Sequence, residues 1–471
     1  MSQFSVIMQS PEVRDIVQDR TLIRDFGSAL LTDTVFRTAA TPIEFEGGLG
    51  DSRTFSRRGE AKPSAAPIKP GDDLGVIKPS FEQWEVMPLQ YGKSVDLHMP
   101  TSFLACANLI LENAEFLGTH AGRSVSRLSR TGLYRSAISG HTVNSATVNN
   151  SVTVPVKHLN GLTRARKTGG TAVRYAEVGA TNKLAVKIYD TVSAAFVDRN
   201  IVGYTPDVAG DEVGPGSITL DVAVTIDAVN YAVVAYDATY IVRSGIGSGL
   251  VFAADPKGPH AILSSNIFTL ADIRAMVRRL QQTGVKPFRD GYYRGYLDAT
   301  SHTQLFADDE AKNLWKEPGQ QVQYRDLALG TLLGVVWFRA EECPQVGNVN
   351  TTWSEEALPL ELTTAGGVGI HRPIIVGRNA LDEHYIDQSK MISNVGLIAQ
   401  KGSFNLDKDG ITINVERISM ITRSPLDRAQ QMPAMSWLFQ GDFVVGTDGV
   451  DEDSGGPVGR FKRMVMCEHG E

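Results

Sequence analysis

The chain has 471 residues, with 46 Lys plus Arg against 53 Asp plus Glu and a formal net charge of -7, which excludes a protein that grips nucleic acid through a general basic excess. At 42% hydrophobic and 21% charged it has an ordinary globular composition, and its length suits roughly two to four domains. Cys106, Cys343 and Cys467 show no paired spacing, so neither a zinc knuckle nor a disulfide framework is expected and the residues fit a reducing cytoplasm. Residues 1–10 lack a basic region followed by an apolar run, and no stretch of about 18 apolar residues occurs, so the expectation is a chain neither secreted by a recognisable signal nor membrane-spanning.

Residues 11–38 alternate Val13, Ile16, Val17, Ile23, Phe26 and Leu30 with acids and arginines, which fits one or two short helices. Gly47, Gly48 and Gly50 then mark a turn-rich crossing. From Arg53 to Met99 a strand-like piece at 54–56 leads into Pro63, Pro67, Pro70, Gly71, Asp72 and Asp73. The chain returns as Phe81, Trp84, Val86, Leu89, Tyr91 and Val95. Two strands around such a tip predict a long hairpin, which cannot bury both faces by itself and should lie on something else.

The longest periodic stretch runs from Thr101 to about Ser139. Phe103, Ala107, Ile110, Ala114, Leu117, Ala121, Val125 and Leu128 recur at steps of three and four, with Pro100 and Thr101 at its start and Gly140 at its end. A helix of about 38 residues would be a rod of roughly 57 Å. Gly118, Gly122 and Gly132 and the alanine-rich stripe favour close packing on a sheet over a leucine-zipper coiled coil. Arg123, Arg127 and Arg130 share one face of this helix, as a solvated stripe or as a surface for acidic residues of a neighbouring subunit or for DNA.

Residues 141–258 change texture to Val, Thr, Ala and Gly, with strand patterns at 151–158, 171–178, 183–189, 217–226, 231–236 and 240–243. This predicts an inserted all-β domain, an immunoglobulin-like sandwich or a small barrel, left through a flexible linker at Gly245–Gly249. Beyond it, a helix is expected over 266–283 with Thr269 as N-cap, a strand over 291–297, a helix over 301–313 and a buried strand over 332–338. Further strands are expected at 374–376, 411–421, 443–445 and 461–467, with a short helical piece near 379–385.

No phosphate-binding loop, nucleophile elbow, H-E-x-x-H or C-x-x-C motif occurs, so the chain is not read as an enzyme and neither cofactor nor metal is expected. Asp308, Asp309 and Glu310 are consecutive on the expected helix and read as a solvated face. His371 and His384, thirteen residues apart around Asp382 and Glu383, read as surface histidines.

The order of these elements resembles the major capsid proteins of tailed double-stranded DNA bacteriophages, whose fold is named for the Hong Kong 97 phage. The likeness extends to short phrases: Gln90–Val95 at the end of the hairpin, Pro287–Tyr293 before a strand, Leu329–Val336, and Ile375–Leu381. It leaves out residues 141–258. The resemblance implies an α+β fold divided into an N-terminal arm (1–50), an extended hairpin or E-loop (51–100), a spine helix of the peripheral domain (101–140), the β-rich insert (141–258) and the rest of the axial and peripheral domains (259–471).

It also implies self-assembly into hexamers and pentamers of an icosahedral shell around packaged double-stranded DNA. Scaffolding, portal and decoration proteins would be further partners, the chain would be made in the host cytoplasm and end in the virion, and no membrane would be involved. The hairpin would lie over an adjacent subunit and the arm would reach another. Candidate contact residues are Arg57, Arg58, Lys62, Lys69, Trp84, Tyr91, Arg123, Arg127 and Arg130. A bacterial nanocompartment shell and, from another class, a glycan-binding or carbohydrate-active protein are the alternatives.

Overall fold

The structure is a computed structural model that describes residues 26–30, 35–45, 52–58, 67, 71, 73, 81–96, 109–169, 172–248, 257, 261–310, 330–340, 342–346, 368–386, 411–415, 417–423, 434–448 and 459–471. The fold is mixed α+β. A helical segment at 26–30 and a 3-10 turn, Phe36–Ala39, precede β1 (Ala40–Glu44), β2 (Arg53–Arg58), β3 (Phe81–Val86) and β4 (Leu89–Asp96). After α1 (Leu109–Ala137) come β5 (His141–Val143), β6 (Val148–Val156), β7 (Arg164–Gly169), β8 (Ala172–Glu177), β9 (Leu184–Asp190), β10 (Ala195–Pro206), β11 (Gly216–Ile226) and β12 (Ala232–Ala235). β13 (Ile241–Arg243), β14 (Gly247–Ser248), α2 (Leu270–Gln282), β15 (Tyr293–Leu297), α3 (Ala299–Ala307), β16 (Thr331–Leu332), β17 (Val335–Arg339), β18 (Gln345–Val346) and β19 (Ile370–His371) follow. The chain closes with β20 (Ile374–Val376), β21 (Leu381–Tyr385), β22 (Ile411–Val415), β23 (Ile418–Arg423), β24 (Ala434–Val444) and β25 (Met464–Gly470).

The chain divides into two compact units, Met1–Arg53 with Val86–Arg130 and Asp382–Val444, and Thr54–Glu85 with Thr131–Leu381 and Val445–Glu471. In the first, β24 is the organising strand: Met435, Trp437, Phe439 and Phe443 are buried at alternate positions, the pattern of a strand with one face on a core. The sheet runs β1-β21-β24-β23-β22, and β4 pairs with β24 antiparallel from Asp96↔Ala434 to Leu89↔Gly441.

The returning limb of the expected hairpin is therefore two strands. It breaks at Met87–Pro88, because Pro88 has no backbone N–H to give a ladder and restricts the residue before it.

Helix α1 is 29 residues long, and the expected positions 101–108 lie outside the described residues. Ala114, Leu117, Ala121 and Val125 are buried as the spacing predicts; Leu128 is half-buried. A Cβ on Gly118 would stand 2.6 Å from the Phe26 carbonyl oxygen and one on Gly122 2.7 Å from that of Leu30. The glycines thus receive the 26–30 segment, not a sheet, and the small side chain is what permits backbone contact.

No helix forms near 379–385, where one was expected: Asn379 turns the chain with φ 55° and Leu381–Tyr385 is strand β21. Its charges suggest a helix face, but Glu383 is buried and accepts hydrogen bonds from Arg37 at 3.1 and 2.7 Å, with Arg417 3.3 Å away. These tertiary ion pairs outweigh local preference.

In the second unit, six strands in the order β5-β12-β9-β10-β11-β6 enclose Val154, Val156, Leu162, Val186, Ile188, Ile218 and Val233. The Asn144↔Val156 bridge and the Lys157 N–H to Val143 carbonyl bond (3.0 Å) join the first strand to the last, so the sheet closes as a small barrel. Strand β10 escapes the sequence reading because Asp198, Arg199 and Asn200 interrupt its apolar residues.

The expected strand at 240–243 does not belong to this barrel. β13 lies in a nine-stranded sheet, β14-β13-β25-β20-β15-β17-β16, with β18 and β19 attached through β25. Gly247–Ser248 pairs with β13, so the expected flexible linker is partly a strand. The buried strand expected at 332–338 is a hairpin of β16 and β17 turned at Leu333 and Gly334, whose φ values of 52° and 77° suit a tight two-residue turn. The pattern expected over 411–421 likewise splits into β22 and β23, turning at Arg417 with φ 70°.

Helix α2 starts at Thr269, whose N–H and hydroxyl both donate to the Asp272 carboxylate, and buries Leu270, Ile273, Met276, Val277 and Leu280. The third sheet is β2-β3-β8-β7, in which β3 runs parallel to β8 from Phe81↔Ala172 to Gln83↔Arg174.

Candidate interaction surfaces

The base of the hairpin is fastened within the second unit. The Arg57 guanidinium lies 5.1 Å from the Trp84 ring, donates to Asp448 Oδ1 at 3.0 Å and to the Asn379 carbonyl at 3.1 Å. Arg463 Nε donates to both oxygens of the same Asp448 at 3.0 Å. Gly446 lies under Trp84, since a Cβ there would be 2.9 Å from the indole ring. Arg57 and Trp84 are thus brought together, but as internal anchors. A charge-assisted pair stacked on an aromatic face restricts the orientation of both strands.

Beyond this node Arg58 is exposed, and Lys62 and Lys69 lie outside the described residues. Gly71 and Asp73, on the connection between β2 and β3, are exposed, and nothing lies within 4 Å of a Cβ built on Gly71.

The other candidates lie in the first unit. Tyr91 is half-buried and stacks on Phe439 across the β4–β24 pairing, with centroids 6.5 Å apart. The three arginines of α1 do not form a uniform solvated stripe: Arg123 is exposed, Arg127 half-buried and Arg130 buried. A residue that the sequence reading did not single out organises the outer surface here. His120 accepts a hydrogen bond from Trp437 Nε1 at 3.1 Å through Nδ1, and its ring lies 6.5 Å from Phe116. Phe116 is 59% exposed. Burial, with the nearby Lys93 and Arg127 charges, lowers the His120 pKa, so the ring stays neutral and fit to accept that bond. The available signal was Phe116 itself, an apolar residue outside the predicted stripe.

No family model matches the chain, and no curated protein matches it. Solved structures do. A capsid structure of the cyanophage P-SCSP1u is similar with a TM-score of 0.45 and 8% identity, covering 92% of this chain and 87% of that one. The capsid of Ralstonia phage GP4 gives 0.45 and 11%, covering 93% and 88%, and the cyanophage Pam1 capsid asymmetric unit 0.44 and 12%, covering 90% and 86%. All three are phage capsids.

Two polar clusters of the second unit lie in its interior. Glu468 accepts from Arg243 Nε at 2.9 Å and Arg372 Nε at 3.1 Å, all three buried, with His141 and His158 nearby. Burial leads the depression of His158 to about 3 and His141 to about 4, and neighbouring arginine charge adds to each.

The second cluster brings together Asp298, Ser301, His371 and His469. Asp298 caps α3, accepts from the Ser301 hydroxyl and takes a 2.5 Å hydrogen bond from His371 Nδ1. Ser301 Oγ is 2.7 Å from His469 Nε2. Serine, histidine and aspartate are the residue types of nucleophilic catalysis, but Ser301 is fully buried, so no substrate reaches its hydroxyl.

His371 and His384 are buried, against the surface reading. Asp308 accepts from the Leu270 N–H at 2.9 Å and Glu310 from Arg274 at 2.5 Å, so part of the acidic triplet caps and braces α2. Among the described residues no group of three His, Cys, Asp or Glu side chains could hold a metal. No described helix is long and apolar enough to cross a membrane.

Proposed function

We propose that this chain is the repeating subunit of an icosahedral protein shell that encloses double-stranded DNA, occupying the virion after synthesis in the host cytoplasm. The observation that carries the reading is the hairpin base: Arg57, Trp84 and Asp448 fasten β2 and β3 at home, while Gly71 and Asp73 farther along the connection are exposed. A hairpin fastened at its base, with nothing within 4 Å of a Cβ built on Gly71 in its connection, is suited to a partner outside the chain. A second copy is the partner a homo-oligomeric shell supplies. The 29-residue α1 and the element order resembling tailed-phage capsid subunits support the same reading.

Electron microscopy of the purified expressed chain tests it. Closed shells of uniform diameter, as hexamers and pentamers, are expected; persistent monomers, even with a scaffolding partner supplied, would end the proposal. Nucleic acid in native particles distinguishes a genome container from an enzyme-holding nanocompartment.

A further inference from the structure

One end of the nine-stranded sheet collects cations. Val376 of β20 lies opposite Met464 of β25 on one side and Arg294 of β15 on the other, so the connections at Lys286–Tyr292, Gly377–Arg378 and Lys462–Arg463 emerge at the same edge. Hydrogen bonds fasten them to one another: the Arg378 N–H donates to the Lys286 carbonyl at 3.1 Å and the Gly377 N–H to the Arg463 carbonyl at 2.8 Å. Arg463 Nη1 donates to the Arg378 carbonyl at 3.2 Å. The Lys286–Tyr292 turn is closed by the Phe288 N–H on the Tyr292 carbonyl at 3.0 Å, and the Arg294 guanidinium lies 4.3 Å from the Phe288 ring centroid. The backbone carrying these charges is therefore fixed before any partner arrives.

Lys286, Arg289 and Arg378 are exposed, and among the described residues none of the three is in an ion pair. The acids nearby are already engaged. Asp290 accepts from the Tyr292 N–H at 3.1 Å within the turn, and buried Asp448 takes Arg57 and Arg463. Tyr292, 40% exposed, is the large side chain open to solvent at this edge, while Val285, Tyr293 and Val376 are buried.

A contact between protein copies needs an apolar centre, which one tyrosine does not supply. Unpaired cations without such a centre fit a polyanion, whose phosphates take charge and hydrogen bonds and bury little surface. Three adjacent strand ends span roughly 10 Å at about 4.8 Å per strand, the length of about three nucleotides in one strand of a duplex. The Tyr292 hydroxyl adds a donor of the kind that binds phosphate oxygens.

We infer that this sheet end is a phosphate-backbone contact for the enclosed double-stranded DNA, made by Lys286, Arg289 and Arg378 with Tyr292 beside them. This rests on the shell reading and adds which surface of the subunit meets the nucleic acid. Phosphates carry no base identity, so the contact holds any sequence. It is local, because the chain as a whole carries a net charge of -7.

Fluorescence anisotropy of a labelled duplex of about 30 base pairs, titrated with the unassembled full-length chain at several salt concentrations, tests the contact. With three phosphates engaged, log K is expected to fall against log salt with a slope of roughly -2.7. Lys286→Glu, Arg289→Glu and Arg378→Glu together should weaken binding at about 50 mM salt by at least about tenfold and flatten the slope. Lys167→Glu, Arg174→Glu and Lys183→Glu, exposed on the barrel and its β7–β8 hairpin, change the net charge equally and should stay within about twofold of the unmodified chain. Circular dichroism melts of both variants check that each is folded.

Absence of duplex binding at about 20 mM salt, or an equal loss in both triple variants, would overturn the contact while leaving the shell reading intact. Unchanged duplex binding by the first variant together with loss of its particles would make this edge a junction between copies and overturn it too. Duplex binding that depends on the three cations in a chain that never forms particles would keep the phosphate contact and remove the shell reading.

Discussion

Arg57, expected as a contact residue toward a neighbouring subunit, is held within its own chain by Asp448, the Asn379 carbonyl and the Trp84 ring. Its position on the hairpin was legible, but its partners Asp448 and the Asn379 carbonyl are hundreds of residues away, and Arg463 reaches it only through the shared Asp448. Arg57→Ala is expected to cost about 2–3 kcal/mol of unfolding free energy, since it strands a buried carboxylate with Arg463 alone and removes the stack on Trp84, as read by urea denaturation of the unassembled chain. Gly446→Val should act on the same node by pushing the indole off the strand.

Glu468 is the more severe case. Its carboxylate is shared by two buried guanidinium groups, so Glu468→Ala leaves both without it, and a loss of about 3–5 kcal/mol or failure to accumulate as soluble protein is expected. Recovery of wild-type stability in that variant would show that other groups neutralise the pair.

At the scale of elements, α1 and the barrel differ in how local their causes are. The α1 stripe is a periodicity within one segment, and Ala114, Leu117, Ala121 and Val125 are buried as that periodicity requires. What the glycines touch is not local. Gly118→Val or Gly122→Val would collide with the backbone of 26–30, and limited proteolysis should then cut within the first 30 residues faster than in the unmodified chain.

The barrel departs and returns at neighbouring points, because the Thr239 N–H donates to the Ser139 carbonyl at 3.2 Å. Joining residue 140 directly to 239 is therefore expected to leave a soluble chain with its nine-stranded sheet. Excising 141–258 removes β13 and β14 from that sheet and should give insoluble protein. Comparable solubility of the two deletions would contradict the assignment of β13.

For the molecule as a whole, buried histidines set the response to acid. His141 and His469 are depressed to about 4 and His158 to about 3, each chiefly by burial. Below the ordinary histidine value of 6.5 the unfolded chain takes up protons that the folded chain refuses, so stability falls as pH drops. Each such group contributes about 1.4 kcal/mol per pH unit until its folded value is reached. Asp298 is held at about 2, by its hydrogen bond and charge pairing with His371 against the opposing effect of burial, so its own stabilising contribution persists until more strongly acid conditions. Thermal unfolding of the unassembled chain between pH 7 and pH 4 should show a steadily falling Tm; a flat profile would mean these rings are solvated.

Features that depend on neighbours along the chain could be read from the residues alone: the α1 and α2 stripes with the Thr269 start signal, the β-rich texture after residue 140, and a proline-rich hairpin connection. Periodicity, capping and turn chemistry act within a few residues, so they are visible without a fold. Which sheet each strand joins came instead from long-range packing. That packing split the hairpin return at Pro88, sent β13 away from the barrel, made Leu381–Tyr385 a strand beside β24, and buried Arg130, His371 and His384. These outcomes depend on partners distant in sequence, such as Arg37 for Glu383 and Asp298 for His371, and a linear pattern does not reveal when such a partner will neutralise or hydrogen-bond a polar side chain.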